Sequence, residues 1–149
     1  MWLLGLWPLS PTLVPIFRLL RLVQEQVVPG VELLASIRRD PQFGPVLLVG
    51  AGGTMVELLH DVVSAPAPVA HNAALHMVRR LRIARLLDAW RGNPARDIDA
   101  LADALVRLSW LAVGLNESLV DLEINPLIAG QVGTGVRAVD VRAEWVTER

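Results

Sequence analysis

Two oxygen-bearing side chains, Asn125 and Asp140, flank a glycine-rich stretch at matching distances. Residues 120–125 and 138–142 alternate apolar and polar side chains, which predicts two strands that each bury one face. If their hairpin is symmetric about the loop from Gly130 to Gly135, the numbers of paired residues sum to 265, so Asn125 faces Asp140. Their Cβ atoms would then be about 5 Å apart. Mg²⁺ takes one or two protein oxygen ligands together with waters and substrate phosphates, so the pattern predicts a magnesium site.

Both residues also have an ordinary structural explanation. The Asn125-Pro126 pair is typical of the end of a strand, and an aspartate such as Asp140 commonly solvates a hairpin. Glu123 lies one step along the same polar face and adds a further carboxylate. The spacing by itself leaves both interpretations open.

The elements that would position this hairpin are strands followed by helices. Strands are predicted from alternating or continuous apolar residues at Leu22–Val28, 31–37 and Val46–Val49. Helices are predicted from apolar spacing of three and four residues at 73–90 and 98–115. Asp97 stands where the second helix would need a cap. The order predicts an α+β fold, with a mostly antiparallel sheet covered by helices on one face.

Composition excludes several classes of function. The chain has 149 residues, 53% hydrophobic and 19% charged, which suits one folded domain. A net charge of -1 supplies no field for nucleic acid, and the absence of cysteine removes thiol chemistry and fits a cytoplasmic location. Residues 1–20 form an atypical apolar leader, but its three prolines and Arg18 disfavour a membrane span.

The glycine cluster from Gly50 to Thr54 is a second candidate site. Its backbone N–H groups can approach a bound anion, because glycine adopts dihedral angles that other residues avoid. A cluster this short is more often a tight turn, and it lacks the Lys-Ser/Thr ending of a P-loop.

Six short sequence motifs, in order, resemble the ATP-grasp subunit of ADP-forming acetyl-CoA synthetases, which are NDP-forming acyl-CoA synthetases. The motifs are 28–33, 39–46, 50–53, 56–62, 86–92, and 122–127 completed by 138–142. The resemblance covers about Leu22 to Arg142 and extends to the succinyl-CoA synthetase β-subunit. It implies that residues 21–149 form the carboxy-terminal, metal-binding part of an ATP-grasp domain.

The resemblance also implies roles for particular residues. Asn125 and Asp140 would bind the Mg²⁺ that bridges the phosphates of ATP or ADP. The adenine would lie at a hinge strand around Gln24. The nucleotide-binding residues implied in this way are Glu25, Gln26, Val27, Glu32, Gly52 and Gly53. Glu32 is almost as well explained as an exposed strand glutamate.

The implied reaction is that of an acid–thiol ligase, in which phosphate passes from ATP to a carboxylate through a histidine on a mobile segment. A CoA-binding or ligase subunit or domain would be the partner that handles CoA and the small carboxylic acid. His60, His71 and His76 inherit no role, so no catalytic residue is assigned.

Two departures from the family pattern limit this expectation. The chain has no recognisable lysine-bearing subdomain, and Ser64-Ala65 replace a phenylalanine-arginine pair. We therefore expect a truncated portion that is inactive alone. The alternative is a non-catalytic interaction or regulatory module that keeps the ATP-grasp fold.

Overall fold

The structure, a computed structural model, describes residues 25–115 and 117–146. The strands in chain order are β1 (Val31–Asp40), β2 (Gly44–Ala51), β3 (Val62–Pro66), β4 (Leu119–Ala129), β5 (Val136–Ala138) and β6 (Val141–Trp145). The helices are α1 (Val56–Leu59), α2 (His71–Arg80) and α3 (Ile98–Gly114), with short 3₁₀ helices at Gly53–Met55 and Arg82–Leu86.

All the strands belong to one antiparallel sheet. Its order is β3-β2-β1-β4, and β5 and β6 follow one another along the outer edge of β4. The central strand β1 buries Leu33, Ala35 and Ile37 beneath the helices, while Glu32 and Arg38 are exposed on the other face. The sheet therefore has one apolar face and an opposite face that bears exposed charged side chains.

Helices α2 and α3 cover the apolar face and form the core with it. The α3 side chains in the core recur every three or four residues at Leu101, Leu105, Leu108 and Ala112, and Ala102 lies beside Leu101. Complete burial of a leucine such as Leu105 contributes roughly 1.5–3 kcal/mol. The buried hydroxyl of Ser109 accepts the Val69 N–H and donates to the Val106 carbonyl, so it is satisfied inside this core.

Several expectations from the sequence are confirmed. The fold is α+β, with helices on one face of an antiparallel sheet. Helix α3 begins at Ile98, directly after Asp97, whose side chain accepts the Ala100 N–H and so caps the helix. The apolar run Val46–Val49 lies inside β2.

Three predicted elements are wrong. The strand predicted over 138–142 is interrupted at Val139 and Asp140, between β5 and β6, and it buries neither face, since Val139 and Val141 are 51% and 53% exposed. A strand was predicted over 22–28, but residues 25–30 form no strand. Residues 22–24 lie outside the described residues. The helix predicted over 73–90 ends at Arg80, because Leu81 is extended with φ -65° and ψ 143°. The buried carboxylate of Asp61 accepts the Ile83 N–H at 3.0 Å, which starts a separate 3₁₀ helix there.

Strand β4 continues past the proline that was expected to end it. Leu33 pairs with Leu127 and Ala35 with Ile124, so Leu34 alone faces both Asn125 and Pro126. This one-residue bulge absorbs the proline, whose carbonyl still accepts the Val139 N–H. Bulges redirect side chains, and this one lies at a predicted site residue.

The predicted apolar leader, residues 1–20, lies outside the described residues. Within the ranges that the structure does describe, no helix has both the length and the apolar character to cross a bilayer.

Candidate functional site

The hairpin has the register that its symmetry predicts. β4 pairs Leu127 with Ala138 and Ile124 with Val141, and the residue numbers of each pair sum to 265. Between these pairs the Asn125 N–H donates to the Asp140 carbonyl at 3.0 Å. The two residues are therefore direct cross-strand neighbours.

The side chains of this pair share a depression of about 250 Å³, lined by Glu123, Asn125, Asp140 and Arg142. It lies on the face of the sheet away from α2 and α3, because Leu122 and Ile124, which alternate with Glu123, pack into the core. Within the described ranges, no cluster of three or more His, Cys, Asp or Glu could hold a metal ion. Any ion here would need ligands beyond those carboxylates, as Mg²⁺ takes from waters and phosphates.

The glycine cluster contacts this depression directly. The Gly53 N–H donates to Asn125 Oδ1 at 3.0 Å, which fixes the direction of the carboxamide. A carbonyl oxygen has two lone pairs, so Oδ1 keeps one for a second partner. The cluster is thus a turn that orients a predicted metal ligand.

Glu32 completes this contact from the neighbouring strand. Gly53 has φ +56°, and a Cβ added to it would overlap the Glu32 carboxylate. Gly52 donates its N–H to the Glu32 carbonyl at 3.0 Å, and a Cβ there would overlap the backbone of Leu33. Gly52 therefore requires glycine for close approach of the backbone, whereas Gly53 favours glycine through its positive φ. Glu32, Gly53 and Asn125 lie together on one face.

Two of the remaining predicted nucleotide-binding residues, Glu25 and Val27, line a smaller depression of about 80 Å³. The third, Gln26, does not line it. Ile128 lines this depression and pairs with Glu32 across β1 and β4. Glu25 Oε1 lies 3.6 Å from Arg137 Nε. Because both side chains are at least half exposed, this ion pair contributes under about 1 kcal/mol.

The loop between β4 and β5 is held by Asp97. Its carboxylate accepts N–H groups from Ala100, Gly133 and Gly135 at 2.9 to 3.1 Å. The hydrogen bond from Ala100 is the largest of the causes that hold the pKa of Asp97 below its usual value, against a smaller opposing effect of burial. One side chain therefore joins the start of α3 to the hairpin loop.

Two residues of the larger depression were not assigned to the metal site from sequence. Glu123 pairs with Arg142 across β4 and β6, and their numbers also sum to 265. The symmetry that paired Asn125 with Asp140 could have identified them. Arg142 places a positive charge beside a depression that otherwise offers oxygen atoms.

The three histidines lie elsewhere. His71 begins α2, and its Nδ1 lies 2.9 Å from Asp103 Oδ1 on α3, which links the two helices. His60 follows α1 with φ 44°, and His76 is an exposed residue of α2. None of them lines the depression that contains Asn125, and their lack of a catalytic role stays a prediction.

A profile of the ATP-grasp domain matches residues 19–144. The chain belongs to the ATP-grasp family. This ATP-grasp chain is 42% identical over 121 residues to the ADP-forming acetate–CoA ligase I of Archaeoglobus fulgidus, covering 81% of this chain and 17% of that enzyme. It is 39% identical over 113 residues to the β subunit of acetate–CoA ligase I of Pyrococcus furiosus, covering 76% of this chain and 47% of the subunit.

Solved structures give the same family. The ATP-grasp chain superposes with a TM-score of 0.75 and 38% identity on acetyl-coenzyme A synthetase 1 of Ca. Korarchaeum cryptofilum, in complex with coenzyme A and Mg-AMPPCP. The match covers 80% of this chain and 55% of that one. This ATP-grasp chain thus spans about half or less of the relatives described here.

Proposed function

We propose that this chain is the metal-binding portion of the ATP-grasp domain of an ADP-forming acyl-CoA synthetase, and that it binds Mg²⁺ with ATP or ADP. The observation that carries the proposal is the hairpin register, which places the Asn125 carboxamide and the Asp140 carboxylate in one depression. That depression faces away from the helices, so it is open to a nucleotide.

The donor set fits magnesium. A carboxamide oxygen and a carboxylate, with Glu123 beside them, are hard oxygen ligands, and the remaining coordination positions suit waters and phosphate oxygens. Gly53 holds Asn125 Oδ1 in a fixed direction before any ligand arrives. When bound, the ion supplies neutralisation of charge on the phosphoryl group.

Nucleotide binding is supported by a second depression and by Glu32, which lies between it and the glycine cluster in the sheet. Glu32 lies beside Gly53, and its partner Ile128 leads to the depression lined by Glu25 and Val27. We propose that the phosphates lie near Asn125 and that the base extends toward Glu25. Gln26 is exposed beside this depression and could contact the base from its rim.

We propose that a CoA-binding or ligase domain or subunit completes the acid–thiol ligase, and that the protein is cytoplasmic. The sequence contains no lysine, so this domain or subunit would supply the phosphate-binding lysine. The Korarchaeum relative binds coenzyme A and Mg-AMPPCP, which is consistent with a larger assembly. The carboxylic acid and CoA would bind to that assembly.

Isothermal titration of Mg-ADP tests the proposal, with the full chain alone and with a separately encoded partner. We expect Asn125→Ala and Asp140→Ala to weaken binding at least tenfold, since each removes an oxygen ligand. Glu117→Ala, at an exposed carboxylate in the turn after α3, is the control and leaves binding unchanged. The proposal fails if no nucleotide binds in either setting and Asp140→Ala changes nothing.

The absence of lysine also favours a second candidate, a non-catalytic interaction module that keeps the ATP-grasp fold. A complex with an acyl-CoA synthetase subunit that forms equally well with and without Mg-ADP would favour this module. A complex that tightens with Mg-ADP and loosens in Asp140→Ala would favour the ligase.

A further inference from the structure

Strand β6 presents an edge that no other described strand pairs with. It bonds to β4 on one side only, and all five of its residues are exposed. Val141 and Trp145 are 53% and 52% exposed although they are apolar. A sheet edge with exposed apolar side chains is a template for another strand, and native proteins usually cover or charge such edges.

The hydrogen bonds at both ends of β6 show which backbone groups point to the free edge. The Asp140 carbonyl bonds to Asn125, and the Val146 N–H bonds to the Ser118 carbonyl at 2.8 Å. In an antiparallel strand the N–H and C=O of one residue point to the same side, and successive residues alternate sides. Even-numbered residues from 140 to 146 therefore face β4, so Val141, Ala143 and Trp145 direct their backbone groups outward.

We propose that β6 pairs antiparallel with β6 of a second copy of this chain, about a two-fold axis at Ala143. Ala143 then exchanges two backbone hydrogen bonds with its counterpart, and Val141 and Trp145 exchange further bonds with Trp145 and Val141 of the second copy. The two sheets join into one continuous sheet. The contact is isologous, because the same strand serves both copies.

The side chains of β6 are complementary to themselves in this register. Arg142 lies opposite Glu144 of the second copy, and the same pair occurs again across the axis. Val141 lies opposite Trp145 of the second copy, which pairs a β-branched residue with an aromatic one. Opposite charges and such apolar pairs are the cross-strand combinations that stabilise antiparallel strands.

Other arrangements satisfy fewer of these conditions. An axis at Arg142 or Glu144 places like charges directly opposite each other, which destabilises an antiparallel pair. An axis at Val141 leaves Trp145 unpaired. The opposite sheet edge, β3, consists of Val62–Pro66, which carries no charged residue and ends in a proline that cannot donate a hydrogen bond.

Charge reversal of the full chain, followed by sedimentation velocity over a range of concentrations, tests the proposal. In Arg142→Glu or Glu144→Arg, both cross-strand pairs become like-charged, so we expect each variant alone to dimerise roughly tenfold more weakly than the natural chain. An equimolar mixture of the two variants restores opposite charges at both positions. We therefore expect it to form a heterodimer about as tight as the natural dimer.

Two proline variants distinguish dimerisation through the edge of β6 from dimerisation through the edge of β3. Ala143→Pro removes an N–H that points to the free edge, so it abolishes dimerisation while β4 pairing remains. Ser64→Pro is the matched control on β3. The Ala51 N–H donates to the Asp61 carbonyl, and backbone groups alternate sides along a strand, so the Ser64 N–H points away from β2. Circular dichroism verifies that each variant is folded. A natural chain that stays monomeric, a variant mixture no tighter than its components, or dimerisation lost in Ser64→Pro would overturn the proposal.

Discussion

Asp97 connects the start of α3 to the loop between β4 and β5, so its replacement tests whether both depend on one side chain. Its Oδ1 accepts the Ala100 N–H at 3.1 Å, and its Oδ2 accepts those of Gly133 and Gly135 at 2.9 and 3.1 Å. Asp97→Ala removes all three interactions. Asp97→Asn keeps only one side-chain oxygen, so it can hold the helix or the loop but not both.

The expected loss follows from these contacts. Loss of a helix cap costs about 1 kcal/mol. The two glycine N–H groups regain water when released, because this loop is largely exposed, so their loss adds only about 1 kcal/mol. We expect Asp97→Ala to lower the free energy of unfolding by about 2 kcal/mol and Asp97→Asn by roughly half as much.

Urea denaturation at pH 7 measures these values. Asp99→Ala is the matched control in the first turn of the same helix, because the Asp99 side chain is 85% exposed and its Oδ1 is as far as 3.8 Å from His71 Nε2. We expect a change within about 0.5 kcal/mol for this control. If Asp97→Ala costs no more than Asp99→Ala, the role of Asp97 as a link is refuted.

The pH dependence gives a second measurement of the same carboxylate. Because folding lowers the pKa of Asp97 below the ordinary aspartate value of 3.8, its charged form stabilises the folded chain above that pH. This stabilisation is lost as the pH falls through the lower, folded-state pKa. The stability difference between the natural chain and Asp97→Asn should therefore shrink as the solution becomes more acidic than pH 3.8.

Two further substitutions test the site and the core. Gly53→Ala strains a residue at φ +56° and displaces Glu32, so we expect a loss of stability of at least about 1 kcal/mol and weaker Mg-ADP binding by titration. Gly92→Ala, at φ +83° with open space around it, isolates the backbone contribution, and equal effects of both variants would contradict the overlap with Glu32. Ser109→Ala leaves the Val69 N–H unsatisfied in the core, so urea denaturation should show a loss of about 1–3 kcal/mol, against almost none for exposed Ser118→Ala. A Ser109→Ala chain as stable as the natural one would show that water reaches this N–H.

The hairpin register was predictable because two local patterns agree. Alternation of side chains over 120–125 fixes the faces of β4, and the symmetric loop fixes the pairing, so Asn125 and Asp140 could be paired from sequence. Alternation over 138–142 did not predict burial, because Val139 and Val141 lie exposed at the edge of the sheet. Helix α3 was predictable for a similar reason, since its apolar spacing and its cap at Asp97 lie within one segment. These elements could be predicted because independent sequence patterns within one short segment indicate the same structure.

The errors arose where distant contacts decide the local structure. The apolar spacing continues across Leu81, but the helix stops because Asp61, 22 residues before Ile83, captures the Ile83 N–H. Residues 25–28 have the composition of a strand, yet the described sheet offers them no partner strand. The contact of Gly53 with Asn125 had no sequence signal at all.

That last contact spans 72 positions and has a consequence for biosynthesis. Gly53 leaves the ribosome long before Asn125. Strand β1 pairs with β4 along one of its edges, so that edge stays unpaired until β4 has been synthesised. Because closing so long a loop costs chain entropy before any pairing rewards it, β1 and β2 can form early while the contact of Gly53 with Asn125 cannot. A nascent chain halted before position 140 would therefore expose an unfinished sheet and lack one carboxylate of the proposed magnesium site.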